Sequence, residues 1–146
     1  MFEANKIALF TLQPGQSFFG ISSIINPDHW DYDANLAEYK NMNYAQAEKG
    51  VNIARVFLLK DESELETMTP IIEEQARNKI DVSYIYCSRL ADFSFYPDFT
   101  ILPDHKFALY VPKIDKLLTV IATRNDELIS DMTADFRKIQ ARSERL

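Results

Sequence analysis

One apolar run, residues 51–59, constrains the fold of this chain more than any other feature. It is nearly continuously apolar and rich in β-branched side chains, as is typical of a strand that is covered on both faces. Such a strand lies in the middle of a sheet that has helices packed on it. Arg55 stands in the centre of the run, and the alternation of side chains along a strand places it on the same face as Ile53 and Phe57.

Helical periodicity flanks this strand on both sides. Residues 31–49 predict a helix with Asp33 as its cap and Gly50 at its end. A second helix is predicted to begin at Ser63-x-x-Glu66, which has the form of a capping box. Pro70 predicts either a kink in this helix or the start of a separate one. The inward-facing residues are Leu36, Tyr39, Asn43 and Ala47 in the first helix, and Leu65, Met68, Ile72 and Ala76 in the second.

The amino-terminal part of the chain predicts two more strands. Residues 7–12 and 18–25 are short apolar stretches, and residues 13–16 between them contain the turn formers Pro14 and Gly15. We expect the two stretches to pair with each other through this turn.

The carboxyl-terminal part predicts a strand at 80–87, then a meander, then a helix. Short apolar stretches at 99–102, 107–111 and 117–123 are separated by connections of hairpin length. The final helix begins near Asn125, and its apolar stripe contains Leu128, Met132, Phe136 and Ile139.

These elements predict a single α/β domain covering residues 1–146. Two strand–helix–strand crossovers give parallel neighbours, and the meander adds antiparallel strands. We therefore expect a mixed sheet, mostly parallel and then antiparallel, with helices packed on it.

The charge balance restricts the classes of partner. The chain has 16 Lys and Arg against 22 Asp and Glu, a formal net charge of −6, whereas nucleic-acid-binding domains normally carry a basic excess. We therefore expect no nucleic-acid partner. No apolar run reaches the ~20 residues of a membrane span, so no membrane partner is expected. The single cysteine, Cys87, favours a reducing compartment, the cytoplasm.

Arg55 is the most informative polar residue, because a guanidinium inside an apolar strand needs acceptors. One interpretation is an anchor for an anionic ligand. The favoured one is a structural ion pair with Asp98 or Asp104 from the neighbouring meander. Asn43 and Gln75 are also polar residues on inward helical faces, and they predict either caps on backbone carbonyls or the lining of a polar pocket.

Catalytic and metal-binding patterns are absent from the sequence. It has no nucleophile elbow, no zinc-protease motif and no glycine-rich phosphate loop. The acidic stretch 27–35 is similar to the start of a calcium loop, but Leu36 stands where that loop needs glycine and Met42 where it needs glutamate. We expect no catalytic residue, no metal and no cofactor.

A ligand-binding site is predicted near the strand ends. Ser22 lies in the crevice where open α/β sheets tend to bind ligands. The predicted set is Ser22, Arg55, Tyr84, Asp98 and Asp104.

A series of residues between about 18 and 136 also resembles an uncharacterised bacterial domain group that is frequent in cyanobacteria. The organisation of that group is similar to one half of the phospholipase D-like fold. The residues that carry the resemblance are Gly20-Ile21-Ser22, Trp30, Tyr39, Asn43, Ala47, Gly50-Val51-x-Ile53-x-Arg55-Val56-Phe57, Gln75, Ile80-x-Val82, Asp98-Phe99-x-Ile101 and Asp104.

Phospholipase D-type catalysis needs a histidine and a lysine one residue apart, followed by an aspartate. Here His105 and Lys106 are adjacent, which would point them to opposite faces of a strand, and His29 is followed by Asp31 instead of a lysine. The resemblance therefore implies a non-catalytic relative that acts as a sensor or regulatory module and pairs as a homodimer.

The leading functional prediction is a non-enzymatic binding or regulatory domain for an unknown ligand, with a homodimer as the expected assembly. The first alternative is a hydrolase of phosphodiesters or small molecules. The second alternative is a protein-interaction module.

Overall fold

A computed structural model describes residues 2–23, 34–91, 98–111 and 119–146. In this part of the chain helices and strands alternate as far as the third strand, three more strands follow, and a helix comes last. Short 3-10 turns at Cys87–Leu90 and Pro103–His105 follow the third and fourth strands. The helices are α1 (Phe2–Thr11), α2 (Ala34–Glu48), α3 (Glu62–Arg77) and α4 (Asp126–Arg142). The strands are β1 (Ser17–Ser22), β2 (Asn52–Leu59), β3 (Asp81–Tyr86), β4 (Asp98–Leu102), β5 (Phe107–Val111) and β6 (Ile121–Thr123).

The described strands form a mixed six-stranded sheet in the order β3-β2-β1-β4-β5-β6. Strands β1, β2 and β3 are parallel. Strands β4, β5 and β6 are each antiparallel to the strand before them in the sheet. The predicted fold class, an α/β domain with a parallel and then antiparallel sheet, is confirmed.

The apolar run that forms β2 is buried on both faces, as its composition predicts. Ile53, Phe57 and Leu59 pack against residues of α1, α2 and α3. Val56 and Leu58 belong to a separate cluster that contains the buried residues of α4. We call these the three-helix face and the α4 face.

The prediction of a strand at residues 7–12 is wrong, because residues 7–11 belong to helix α1. Its buried residues are Asn5, Lys6, Ala8 and Leu9, followed by Leu12 directly after the helix, a spacing that defines one helical face. Ile7 and Phe10 are exposed. The polar Asn5 hides this periodicity in the sequence, and the apolar stretch alone is too short to distinguish a helix from a strand. The partners of β1 are consequently β2 and β4.

Helix α3 is continuous through Pro70, so the interpretation of a separate helix is wrong. Its N-cap is Asp61, which accepts a hydrogen bond from the backbone N–H of Glu64, and the predicted Ser63–Glu66 box does not form the cap. Pro70 is exposed, where the backbone carbonyl that lacks an N–H partner can bind water. Gln75 is buried on this helix, whereas the predicted Ala76 is exposed.

Several sequence predictions fall on residues that the structure does not describe. These are the Asp33 cap, the acidic stretch 27–33 and the ends of two predicted strands at 24–25 and 117–118. The glycine predicted to end the first helix is found as expected, with Gly50 in a left-handed conformation (φ 96°).

Helix α4 alone supplies the helical layer on the α4 face among the described residues. Asn125 caps it by accepting a hydrogen bond from Leu128 N at 2.9 Å. Its buried residues are Ile129, Met132, Phe136 and Ile139, so Ile129 takes the place predicted for Leu128. The ring of Phe136 stacks on Phe19 of β1, with centroids 4.9 Å apart and planes at 8°.

Beyond α4 the chain turns back along β3. Glu144 and Tyr84 exchange two backbone hydrogen bonds of 2.8 Å, which add an antiparallel bridge on the outer side of that edge strand.

Because Phe136 is fully buried and anchors α4 to the sheet, replacing it with alanine is expected to lower the free energy of unfolding by about 3–5 kcal/mol. Urea unfolding followed by circular dichroism measures this change. Ser130→Ala on the exposed side of the same helix is the control, with an expected change within about 0.5 kcal/mol. Equal effects of the two substitutions would contradict the packing described for α4.

Candidate functional site

Of the five predicted site residues, the structure brings together Ser22 and Asp98 and separates the others. Ser22 and Asp98 lie at the carboxyl end of β1, where β4 begins. Asp104 lies at the opposite end of β1, where its Oδ2 accepts a hydrogen bond from Ser17 N at 2.7 Å. Arg55 is buried under α2 and α3. Tyr84 faces the segment after α4, and its hydroxyl donates to Glu144 Oε2 at 3.2 Å.

Arg55 is held by neutral oxygen atoms. Its Nη1 donates to Gln75 Oε1 at 3.0 Å, and its Nη2 donates to the Tyr39 hydroxyl at 3.0 Å and to Asn43 Oδ1 at 3.1 Å. The guanidinium carbon also lies 5.6 Å from the centroid of the Tyr39 ring. Only 3% of the residue is exposed. Helices α2 and α3 are therefore both attached to the middle of β2.

The prediction that Arg55 pairs with Asp98 or Asp104 is wrong. Both aspartates bind instead to backbone and hydroxyl groups at the two ends of β1. The sequence does contain the correct signal, because Asn43 and Gln75 are amides on helical faces that are otherwise apolar. A lone buried guanidinium and two buried amides can satisfy one another without a carboxylate.

Asp98 and Ser23 form a closed pair of hydrogen bonds at the carboxyl end of β1. Ser23 N donates to Oδ1 and Ser23 Oγ donates to Oδ2, each at 2.7 Å. Burial raises the pKa of the Asp98 carboxyl, and the two hydrogen bonds from Ser23 offset part of that rise.

We call the edge of the sheet where β1, β2 and β3 end, with the adjoining residues 60–64 and 87–90, the carboxyl edge. A cleft of about 340 Å³ lies there, between β2 and the start of α3. Its polar lining includes Ser23, Lys60, Asp61 and Glu64. The two carboxylates are engaged by backbone N–H groups, Asp61 by Glu64 N and Glu64 by Lys60 N. None of the five predicted site residues lines this cleft.

The opposite edge of the sheet is built from turns that carry cations. We call it the amino edge; it consists of residues 12–16, 49–51, 78–80, 103–106 and 124–125, which lie where β1, β2, β3 and β5 begin and where β4 and β6 end. Four of these five turns contain a lysine or an arginine. They are Lys49, Lys79, Lys106 and Arg124.

Backbone conformation makes two of these lysines unusual. Lys79 (φ 63°) and Lys106 (φ 48°) are left-handed, and no other non-glycine residue in the described ranges has a positive φ. The neighbouring turns use Gly15 and Gly50 for this conformation, because only glycine adopts it without steric cost. The amino edge thus places lysine at two positions where glycine is favoured.

Some amino-edge cations have carboxylate partners and others do not. Lys79 pairs with Glu48 at 2.7 Å and Lys106 with Asp126 at 3.2 Å, both on the surface. Within the described residues, Lys49 and Arg124 form no salt bridge. Arg124 lies over the ring of Phe107, 5.7 Å from its centroid.

In the part of the chain that the structure describes, no group of three or more His, Cys, Asp or Glu could hold a metal ion. None of its helices combines the length and the apolar character needed to cross a bilayer.

Neither a family model nor a curated protein matches the chain. Solved structures do match its fold. One is TrmBL2, an archaeal chromatin protein whose structure shows a novel mode of DNA binding. The TM-score is 0.63 at 9% sequence identity. The match covers 99% of this chain and 50% of TrmBL2, so the chain spans about half the length of that protein.

This likeness corrects two sequence predictions. The prediction of a ligand-binding or regulatory domain and the exclusion of a nucleic-acid partner are both contradicted, because the matched protein binds DNA. The exclusion rested on the net charge of the whole chain, which does not report how charges are distributed over the surface. The expected homodimer gains no support from the match, and the phospholipase D-like resemblance stays a prediction.

The environment of Arg55 makes Gln75→Glu a stabilising substitution. Gln75 Nε2 is a buried donor with no acceptor in the described structure, and glutamate would replace it with an acceptor while giving Arg55 a carboxylate partner. We expect the free energy of unfolding near neutral pH to rise by about 1–2 kcal/mol. Gln75→Met is the control, and it should destabilise the fold because Arg55 Nη1 loses its acceptor. A glutamate variant less stable than the parent would contradict this prediction.

The raised pKa of Asp98 predicts a pH-dependent stability. Because the folded state binds this proton more tightly than the unfolded chain does, stability falls as the pH rises from near the ordinary value of 3.8 through the raised pKa. The amide introduced by Asp98→Asn does not titrate, so the stability of this variant relative to the parent should increase between acidic and neutral pH in thermal unfolding. Ser23→Ala removes a hydrogen bond that lowers this pKa and should extend the dependence to higher pH. A relative stability that does not vary with pH would refute the assignment.

Proposed function

We propose that this chain is a DNA-binding domain whose amino edge contacts the sugar–phosphate backbone. The observation that carries the proposal is the likeness in fold to TrmBL2 over nearly the whole chain. The distribution of charge supports it independently.

The two edges of the sheet differ in their charge. The turns of the amino edge carry Lys49, Lys79, Lys106 and Arg124 against one acidic residue of their own, Asp104. Lys79 and Lys106 also pair with Glu48 and Asp126 on the adjoining helices, which leaves Lys49 and Arg124 as the cations without a salt bridge in the described residues. The carboxyl edge carries Asp61, Glu62 and Glu64 at the start of α3 against two cations, Lys60 and Arg89. A duplex presents a dense row of negative charges, so it is attracted to the first edge and repelled by the second. This polarity orients the domain on DNA although its net charge is −6.

The chemistry of the amino edge favours contacts with phosphates over contacts with bases. Its cations are carried on turns, and the described amino edge presents no helix that would enter a groove with its side chains directed at base edges. Phosphate contacts position a protein on DNA and carry no sequence information themselves. We therefore expect binding that tolerates changes of sequence and weakens steeply with salt.

The proposal is tested by fluorescence anisotropy of a labelled DNA duplex over a series of salt concentrations. Three or four phosphate contacts predict a slope of about −3 to −4 in a plot of log affinity against log salt, at about −0.9 per contact. Lys49→Gln/Arg124→Gln removes two amino-edge cations, so it should weaken binding and reduce the magnitude of the slope by about 2.

Lys60→Gln/Arg89→Gln is the matched control, since it removes the same charge from exposed cations at the carboxyl edge. It should leave the slope unchanged. Absence of binding at low salt would refute the proposed function, and an equal loss in the two double variants would refute the assignment of the amino edge.

A further inference from the structure

A second cleft, of about 380 Å³, opens at the amino edge beside α4. Its lining includes Ser17, which begins β1, and Ala54, which lies in β2. Its charged residues are Lys79, Asp81 and Arg137. We propose that this cleft binds a single phosphate group, held by Arg137 and Lys79. The inference rests on the proposed function in that the phosphate is one of the DNA backbone.

Arg137 is fixed in place and has donors to spare. Its guanidinium carbon lies 4.3 Å from the centroid of the Phe19 ring, which is itself stacked on Phe136. A guanidinium that packs over a ring keeps its N–H groups available at its rim. One of these five donors binds Gln140 Oε1 at 3.0 Å. Arg137 forms no salt bridge within the described residues, so its charge is available to an anion.

Lys79 has a left-handed backbone conformation, which favours glycine. It follows the C-cap of α3 in a Schellman motif, in which Ile80 N donates to Gln75 O and Lys79 N donates to Ala76 O, each at 3.2 Å. At the equivalent end of α2 the left-handed residue is Gly50. Strained conformations of this kind concentrate at functional sites. The partner of Lys79 is Glu48 in an exposed pair, and such a pair holds the lysine only weakly.

Asp81 is the carboxylate that lines the cleft, and its two oxygens are already engaged. Oδ1 accepts from Arg145 Nη2 at 2.8 Å, and Oδ2 accepts from Gln140 Nε2 at 2.9 Å. Arg145 reaches this position because the Glu144–Tyr84 bridge holds its segment against β3. Glu48 offsets the charge of Lys79 as Arg145 offsets that of Asp81, so the net positive charge at the mouth of the cleft comes from Arg137.

Titration with inorganic phosphate at constant ionic strength, followed by amide NMR shifts, tests the cleft directly. The largest shifts are expected at residues 79–81 and 137. Arg137→Gln should weaken phosphate binding by about tenfold or more, because it removes a charged bidentate donor. Lys138→Gln is the matched control: it removes the same charge one position along α4, from a side chain that pairs with Asp135, and it should leave the affinity unchanged.

Lys79→Gly separates a binding role from a structural one. Glycine relieves the left-handed conformation, so the thermal midpoint should rise by about 3 °C while phosphate affinity falls several-fold. A higher thermal midpoint with unchanged phosphate affinity would show that Lys79 does not bind the phosphate.

The outcomes for the cleft and for the proposed function are distinguishable. Phosphate binding that depends on Arg137, in a protein that does not bind the duplex, supports the cleft and overturns DNA binding. Duplex binding that is unaffected by Arg137→Gln, together with no phosphate-induced shifts at residues 79–81, overturns the cleft and leaves the proposed function intact.

Discussion

The position of Arg55 is the constraint on which the three-helix face depends. A permanent charge in the middle of the most buried strand must be given oxygen atoms, and the structure supplies them from Tyr39, Asn43 and Gln75 on two different helices. The strength of a hydrogen bond to a neutral acceptor depends on its angle as well as its distance. The guanidinium therefore holds α2 and α3 at defined positions. Apolar side chains alone would permit the helices to slide. The arginine therefore sets the register of both helices against β2.

Much of the fold follows from hydrophobic periodicity that is visible in the sequence. The apolar run of β2 and the stripe of Met132, Phe136 and Ile139 on α4 are predicted correctly, because burial on one face or two leaves a distinct pattern. Helix α1 is predicted wrongly because the buried Asn5 interrupts that pattern. The predicted partners of Arg55 are also wrong. The sequence indicates which side chains are inward and polar, but not which of them meet across three elements.

The candidate surface is harder to predict, for a physical reason. Net charge is a sum over the chain, whereas attraction to a polyanion depends on where the charges lie. The cations of the amino edge are separated in sequence. Lys49 and Lys79 come together because they precede the parallel strands β2 and β3, and Lys106 and Arg124 reach the same edge because β4, β5 and β6 are antiparallel. The left-handed conformations of Lys79 and Lys106 are equally invisible in composition. The clustering of these cations and the left-handed conformations of the two lysines both depend on the folded arrangement of the chain, which composition does not show.

The bridge between Glu144 and Tyr84 has a consequence for the behaviour of the sheet in concentrated solution. An uncovered edge strand offers a row of free N–H and C=O groups to any neighbouring chain, and this is a common route to aggregation. In β3 the central residue of that row is already occupied by the backbone of Glu144. The surface ion pair between Arg89 and Glu144 reinforces the cover. Residues 143–146 thus shield the edge against unwanted strand pairing as well as delivering Arg145 to Asp81.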